Sequence, residues 1–129
     1  MPALEALRGM RIVASEAAID GGRWQGDHAL ALRLAPDEVL VLDPEGVRVF
    51  EEGAIYDLET GFVGAWLDPS ELEAVRGRIE WALPGGRPAL AQGKVAGVPA
   101  RLWLGEDGRS LLLTHAAYAH ELQERLGWR

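Results

Sequence analysis

Alternating apolar and polar positions predict a run of antiparallel strands in the first part of the chain. Between 28 and 34, leucines at every second position share one face of a strand, together with the histidine that begins it. A second strand covers 39–42, where continuous Val and Leu residues indicate burial on both faces. Turn-forming Pro, Asp and Gly residues separate it from a third strand starting at Val47. The pattern predicts an antiparallel meander after a lead-in, within 1–53.

Helical periodicity appears twice in the second part of the chain. The first helix is predicted over 69–83, because Asp68 fits the N-cap and Glu71 completes a capping box. At about 100° per residue its apolar face consists of Leu72, Val75, Ile79, Ala82 and Leu83. A second helix is predicted to start near Thr114, a suitable cap. Its apolar stripe consists of Tyr118, Ala119, Leu122 and Leu126.

Strands are predicted between the two helices, over 89–104 and 110–114. They are joined by a segment containing Asp107 and Gly108, and an Asp-Gly pair favours a hairpin turn. From Gly61 onward the elements therefore follow the order β-α-β-β-α, which is close to a ferredoxin-like split unit.

The predicted fold class is α+β, with one domain over 1–129. The meander of residues 1–53 precedes a β-α-β-β-α core over 54–129. A chain of 129 residues is long enough for one domain with its own hydrophobic core.

The amino-acid composition excludes several classes of partner and site. The formal net charge of −7 disfavours nucleic acid and anionic membrane surfaces as partners. There is no cysteine, which excludes disulfides, thiolate catalysis and cysteine-based metal sites. The start lacks a secretory pattern, and no stretch approaches the ~20 apolar residues of a membrane span, so we expect a cytoplasmic protein. Asparagine is absent and arginine largely replaces lysine, a composition typical of thermophiles or of GC-rich genomes.

Motifs for catalysis or metal binding are missing. The histidines are His28, His115 and His120, and a spacing of five turns the last two about 140° apart on a helix. We therefore interpret His115 as a partly buried packing residue of the second helix. The serines are Ser15, Ser70 and Ser110, and none lies in a Gly-x-Ser-x-Gly elbow. The sequence predicts no catalytic residue, no metal and no cofactor.

Trp81 indicates a protein interface. On the predicted helix it lies about 180° from Leu72, with Ala74 and Arg78 beside it. Trp and Arg are common in interface hot spots, so we expect Ala74, Arg78 and Trp81 to contact a protein partner. The alternative is local packing of Trp81 over the Pro-Gly-Gly loop at 84–86 or against the meander.

The order of several short segments resembles a known superfamily. The segments are 32–42, 54–61, 63–67, 68–71, 96–103 and 110–126. In this order they resemble the folate-binding aminomethyltransferases (glycine cleavage T-proteins). They are more closely similar to the gamma subunit of heterotetrameric sarcosine oxidase.

The resemblance implies a binding role without chemistry. In the enzymes of the superfamily, the strand after the hairpin turn carries the catalytic aspartate, whereas here Arg109, Ser110 and leucines follow the turn. Asp57 occupies a segment that in those enzymes shapes the folate channel; the alternative is that it caps a turn or binds a backbone N–H. The implied function is a non-catalytic binding or assembly subunit, docked to a larger flavin- or folate-linked amine-oxidising enzyme whose large subunits hold the cofactors.

Two alternatives stay open. One is a stand-alone folate-type or small-molecule binding protein, with a pocket near Asp57, Arg101, Trp103 and Tyr118. The other is a homo-oligomer formed by self-association. Both share with the leading interpretation a role in binding rather than catalysis.

Overall fold

The computed structural model of the chain describes residues 2–128, in which short strands predominate. In chain order the elements are β1 (Glu5–Ala6), β2 (Gly9–Val13), α1 (Glu16–Asp20), β3 (Arg23–Gln25), β4 (Leu30–Ala35), β5 (Glu38–Leu42), β6 (Gly46–Arg48), β7 (Ile55–Glu59), β8 (Phe62–Leu67), α2 (Pro69–Arg76), β9 (Ala89–Val95), β10 (Val98–Leu104), β11 (Ser110–His115) and α3 (Ala119–Leu126). They fall into two units, an N-terminal unit of residues 7–60 and a C-terminal unit of 61–128 together with 2–6. The fold is mixed α and β with antiparallel sheets, as the α+β prediction requires.

The N-terminal unit is built on a four-stranded antiparallel sheet in the order β4-β5-β2-β7. Its core includes Ile12, Val39 and Val41 from the sheet and Ile19 from α1. All four residues of 39–42 are buried, so the prediction from their continuous apolar pattern is confirmed.

The predicted meander is correct only for the β4–β5 hairpin. The next neighbour of β5 is β2, and the strand near Val47 is β6, which pairs with β3 instead. The segment Gly9–Val13 (β2) has no clear alternation of apolar and polar residues. The sequence therefore did not predict that this strand lies in the middle of the sheet.

Most of the segment 54–61, residues 54–60, also lies in a different unit from the one predicted. It was expected to begin the core over 54–129, but β7 pairs with β2, with Tyr56 opposite Ile12. The boundary between the units is therefore at 60/61, and residues 2–6 belong to the C-terminal unit because β1 pairs with β8. The assignment of 1–129 to a single domain stays a prediction.

The C-terminal unit contains a five-stranded antiparallel sheet in the order β1-β8-β11-β10-β9. Its core combines Leu102, Leu104 and Leu112 from the sheet with residues of both helices. The helical members of this cluster are Leu72, Val75 and Leu122.

The span 89–104 contains two strands, so the order from Gly61 is β-α-β-β-β-α rather than β-α-β-β-α. The ferredoxin-like core is not confirmed. A two-residue turn at Ala96 and Gly97, with φ of 50° and 80°, separates β9 from β10. Such turns usually carry Asn-Gly or Asp-Gly, so Ala-Gly gave no hairpin signal. The predicted Asp107-Gly108 hairpin is present between β10 and β11.

Helix α2 begins as predicted and ends early. The Asp68 carboxylate accepts the Glu71 N–H at 2.8 Å, and the Glu71 carboxylate accepts the Asp68 N–H at 2.9 Å. The helix ends at Arg76 rather than at 83, because Gly77 favours helix termination and the Arg78 carbonyl accepts the Ala96 N–H at 2.8 Å. Of the predicted apolar face, Leu72 and Val75 are buried, Ile79 and Leu83 are half-buried and Ala82 is exposed.

Helix α3 starts at Ala119, five residues later than predicted. Thr114 is still part of β11, and its hydroxyl donates to the Pro99 carbonyl at 2.7 Å instead of capping a helix. Leu122 is buried and Leu126 is half-buried. Within residues 2–128 no helix has both the length and the apolar character needed to cross a membrane.

Candidate functional sites

A cleft lies on the sheet face of β9, β10 and β11 that is opposite the core of the C-terminal unit. Along β10 the residues with even numbers are buried in the core, whereas Pro99, Arg101 and Trp103 point to the other face. The cleft has a volume of about 330 Å³ and is open to solvent. Its lining includes Gln92, Lys94, Pro99, Arg101, Thr114 and His115. We call it the Arg101 cleft.

Arg101 lies on an inner strand of the sheet and has an unsatisfied donor. It lies between Gln92 of β9 and Leu113 of β11 in the strand register. Its Nε is buried and has no hydrogen-bond partner in the described part of the chain. The guanidinium carbon lies 5.9 Å from the centroid of the Phe62 ring. Burial of a donor without a partner is costly, so this group is suited to an acceptor that enters the cleft.

Five other arginines form ion pairs with carboxylates, and no such pair involves Arg101 among residues 2–128. Guanidinium–carboxylate pairs link Arg11 to Glu38, Arg33 to Asp20, Arg76 to Glu73, Arg109 to Asp107 and Arg125 to Glu121. The residues that line the Arg101 cleft include no Asp or Glu, although the whole chain carries a net charge of −7. The cleft is thus a cationic site in an acidic protein, and its second cation is Lys94.

An aromatic stack forms one side of this site. The imidazole of His115 stacks on the ring of Phe62, with centroids 4.5 Å apart and planes inclined by 25°. His115 was predicted to pack on the apolar stripe of a helix, but it is the last residue of β11 and is exposed. The strand continues past Thr114, so the imidazole faces the cleft rather than the core.

The structure places one of the four predicted ligand-binding residues in the cleft. Arg101 lines it, whereas Trp103 packs edge-on against Trp66, with ring centroids 5.9 Å apart. Tyr118 precedes α3 and is exposed. Asp57 belongs to the N-terminal unit. A ligand role for Asp57, Trp103 and Tyr118 stays a prediction.

Asp57 has a local explanation in the N-terminal sheet. It is paired across the strands with Arg11, whose guanidinium binds the Glu38 carboxylate at 2.9 Å. The hydrogen bond and charge of Glu38 raise the pKa of Arg11, and the more distant charge of Asp57 adds to this effect. An acid opposite a base on neighbouring strands is a stabilising cross-strand pair.

The sequence missed Lys94 and His115 as site residues. A signal for Lys94 would have required the two-residue turn at 96–97, from which counting outward pairs Arg101 with Gln92 and Pro99 with Lys94, and Ala-Gly does not indicate that turn. For His115 no such signal existed, since the helix was expected to have begun before it.

Trp81 does not lie on a helix with Ala74 and Arg78. Because α2 ends at Arg76, Trp81 follows the helix in an irregular segment and packs against the core of the C-terminal unit. Its indole N–H donates to the Lys94 carbonyl at 2.9 Å, and the ring lies so close to Gly93 that a Cβ there would be 2.5 Å away. Trp81 is therefore packed locally, but on β9 and not on the loop at 84–86 or the meander named in the alternative.

The three predicted interface residues are only partly brought together. Arg78 and Trp81 line a second cleft of about 450 Å³, while Ala74 is exposed on α2. The interface role of Ala74, Arg78 and Trp81 stays a prediction, without the shared helical face that motivated it.

Strand β7 exposes large apolar side chains at the edge of the N-terminal sheet. Ile55 is 55% exposed, Leu58 is 64% exposed and Tyr56 is also exposed. Leu58 lies opposite Met10, and Tyr56 opposite the core residue Ile12, so the apolar face of the sheet continues outward beyond the core. Ile55 lies opposite Val13, on the other face of the same strand. We call the exposed residues of this strand, Ile55, Tyr56 and Leu58, the β7 edge. Exposed apolar patches of this kind mark interaction surfaces, and an edge strand can also accept a further strand.

Metal binding has no support in the described residues. Between residues 2 and 128, no group of three or more His, Asp or Glu side chains is placed to hold an ion.

Comparison with known proteins identifies the fold. No protein-family model matches the sequence, and no curated protein sequence is significantly similar to it. Among solved structures, the chain is similar to a chain of the heterotetrameric sarcosine oxidase from Corynebacterium sp. U-96, determined in complex with pyrrole 2-carboxylate. The TM-score is 0.68 with 16% sequence identity, and the match covers 96% of this chain and 82% of that chain. The resemblance to sarcosine oxidase predicted from the sequence is confirmed at the level of the fold, which is that of one of its subunits.

Proposed function

We propose that this chain is a small, non-catalytic subunit of a multi-subunit enzyme, and that it docks to a larger flavin- or folate-linked amine-oxidising chain. The observation that carries the proposal is the fold, shared over 96% of the chain with a component of a heterotetrameric oxidase. The proposal assigns binding and assembly to this chain, and the chemistry and cofactors to its partner.

The β7 edge supports the proposal as a docking surface. Apolar area is normally removed from water on folding, at about 25 cal/mol per Å². Ile55 and Leu58 keep more than half of their surface in water, so they gain little from folding of this chain alone. Burial against a partner would supply the missing stabilisation, and β7 lies at the edge of its sheet, where a further strand can be added.

Phe50 differs from the β7 edge, although it too is exposed. The guanidinium groups of Arg23 and Arg48 lie 5.6 and 5.0 Å from the centroid of its ring. Phe50 is therefore stabilised by cation–π contacts within the N-terminal unit. Leu58 is aliphatic and can be stabilised only by burial of its surface.

Purification from the source cells tests the proposal. The tagged chain should recover a larger protein in stoichiometric amount, identified by mass spectrometry as an amine-oxidising subunit and carrying a flavin absorbance spectrum. Recovery of the chain by itself, or only with copies of itself, would contradict the proposal and favour self-association.

Two matched variants locate the docking surface. Leu58→Glu introduces a charge on the β7 edge, and Ala74→Glu introduces the same charge at an exposed position of α2. We expect the larger protein to co-purify with the Ala74→Glu variant but not with the Leu58→Glu variant. The circular dichroism spectrum should be unchanged in both variants. The opposite result would assign docking to the surface of Ala74, Arg78 and Trp81.

A further inference from the structure

We propose that the Arg101 cleft binds a small organic anion, whose carboxylate or phosphate group accepts hydrogen bonds from the Arg101 guanidinium. This site is separate from the β7 edge, and the proposal does not depend on docking to a partner. It is carried by three observations on the C-terminal unit: an unpaired buried donor, a lining without acidic groups and an aromatic stack of suitable position.

The unpaired donor specifies the charge of the ligand. The Nε of Arg101 is buried without a hydrogen-bond partner among residues 2–128, and Arg101 lines the cleft. A guanidinium presents its N–H groups as a planar fork that matches two oxygens of a carboxylate or phosphate. An oxyanion in the cleft would therefore satisfy Nε and a neighbouring N–H together.

The lining selects an anion over a cation or a neutral molecule. Lys94, the single lysine of the sequence, provides a second positive charge, and Gln92 provides an amide opposite Arg101. Among residues 2–128, none that lines the cleft carries a carboxylate that would compete for these groups. The Thr114 hydroxyl is already donated to the Pro99 carbonyl, so it does not serve the ligand as a donor.

The aromatic stack indicates that the ligand has a flat or apolar part. His115 stacks on Phe62, and the Arg101 guanidinium lies over the same Phe62 ring. A ligand that is bound to Arg101 would therefore lie beside the exposed imidazole and the ring of Pro99. A volume of about 330 Å³ is at the small end of ligand pockets, which suits an organic acid with one ring rather than a dinucleotide.

Nuclear magnetic resonance of the full chain labelled with ¹⁵N-arginine tests this proposal. Sodium benzoate, sodium acetate and sodium phosphate are titrated separately at constant ionic strength, with sodium chloride as the reference. We expect a saturable shift of the Arg101 Nε–H resonance with benzoate or phosphate. Benzoate binding more tightly than acetate supports the aromatic stack, and phosphate binding more tightly than both assigns the site to phosphorylated ligands.

Substitutions separate the site from general charge effects. Arg101→Gln should weaken binding about tenfold or more, since it removes a charge-assisted hydrogen bond. Arg109→Gln removes the same charge from the nearby hairpin, where Arg109 is paired with Asp107, and should leave affinity unchanged. The shift of the His115 ring resonances follows the same titration, so binding can be measured when Arg101 is absent.

Two results would overturn the proposal. One is the absence of any saturable shift with all three anions beyond that seen with chloride. The other is an equal loss of affinity in Arg101→Gln and Arg109→Gln, which would show a response to total charge rather than a site.

Discussion

The two units differ in how they cover the apolar face of their sheet. In the C-terminal unit the core leucines Leu102 and Leu112 have no exposed surface, because residues from α2 and α3 belong to the same cluster. In the N-terminal unit α1 has only five residues, and Leu58 of the outermost strand is 64% exposed. When the apolar face of a sheet is fully covered within its own unit, its burial stabilises that unit. When part of the face stays exposed to water, the exposed part is typical of an interaction surface.

The same contrast separates the two candidate sites. Arg101 lies on β10, an inner strand of its sheet, and has strand neighbours on both sides. The β7 edge lies on a strand with a neighbour on one side, so it can pair and pack with another chain. An inner strand with two neighbours holds a side chain in a defined position for a small ligand, and an edge strand suits assembly.

The largest expected effect comes from truncating the same residue type in the two units. Leu102→Ala should lower the free energy of unfolding by about 2–5 kcal/mol, because it leaves a cavity in a closed core. Leu58→Ala should change it by less than ~0.5 kcal/mol, because the side chain is largely in water already. Urea denaturation of both variants measures the difference, and equal losses would show that the β7 edge is part of a core.

Trp81→Ala tests whether Trp81 belongs to the closed unit or to an interface. We expect a loss of ~2 kcal/mol of unfolding free energy, since the variant removes a half-buried indole and its hydrogen bond to the Lys94 carbonyl. Arg78→Ala, at an exposed neighbour, is the control and should have little effect. Unchanged stability together with a weaker complex would restore the interface prediction.

Ala96→Asn should stabilise the turn between β9 and β10. Ala96 has a φ of 50°, a left-handed conformation that Asn adopts more readily than Ala. A gain of ~0.5–1 kcal/mol is expected in thermal or urea denaturation. Ala82→Asn, an exposed position outside the left-handed region, should show no gain; equal effects would mean that the turn is not strained.

The smallest expected effect is a pH dependence at the start of α2. Hydrogen bonds from the Glu71 N–H and from Ser70 lower the pKa of Asp68. A depressed pKa means that the cap stabilises the fold above the pKa of the unfolded chain, about 4, and that this contribution is lost as the pH falls further. Asp68→Ala should therefore be less stable than the parent at neutral pH, and the two melting temperatures should converge below about pH 4. A constant difference down to pH 2 or so would show that the carboxylate charge is not involved.

The sequence by itself determined the features that depend on neighbours a few residues apart. The capping box of Asp68 and Glu71, the burial of Leu72 and Leu122 and the hairpin at Asp107-Gly108 are all present as predicted. Each is set by hydrogen bonds or periodicity within one or two turns of the chain, which the order of residues specifies directly.

Only the tertiary structure decided which distant segments became neighbours. It placed β2 between β5 and β7, ended α2 at Arg76 and directed Trp81 onto β9. It also gathered Lys94, Arg101 and His115 from three strands into one cleft. Each strand needs neighbours that pair with its backbone groups and cover its apolar side chains. Many different strand orders satisfy this requirement with the same local pattern. The choice among them is made by the packing of the whole unit, which no local pattern records.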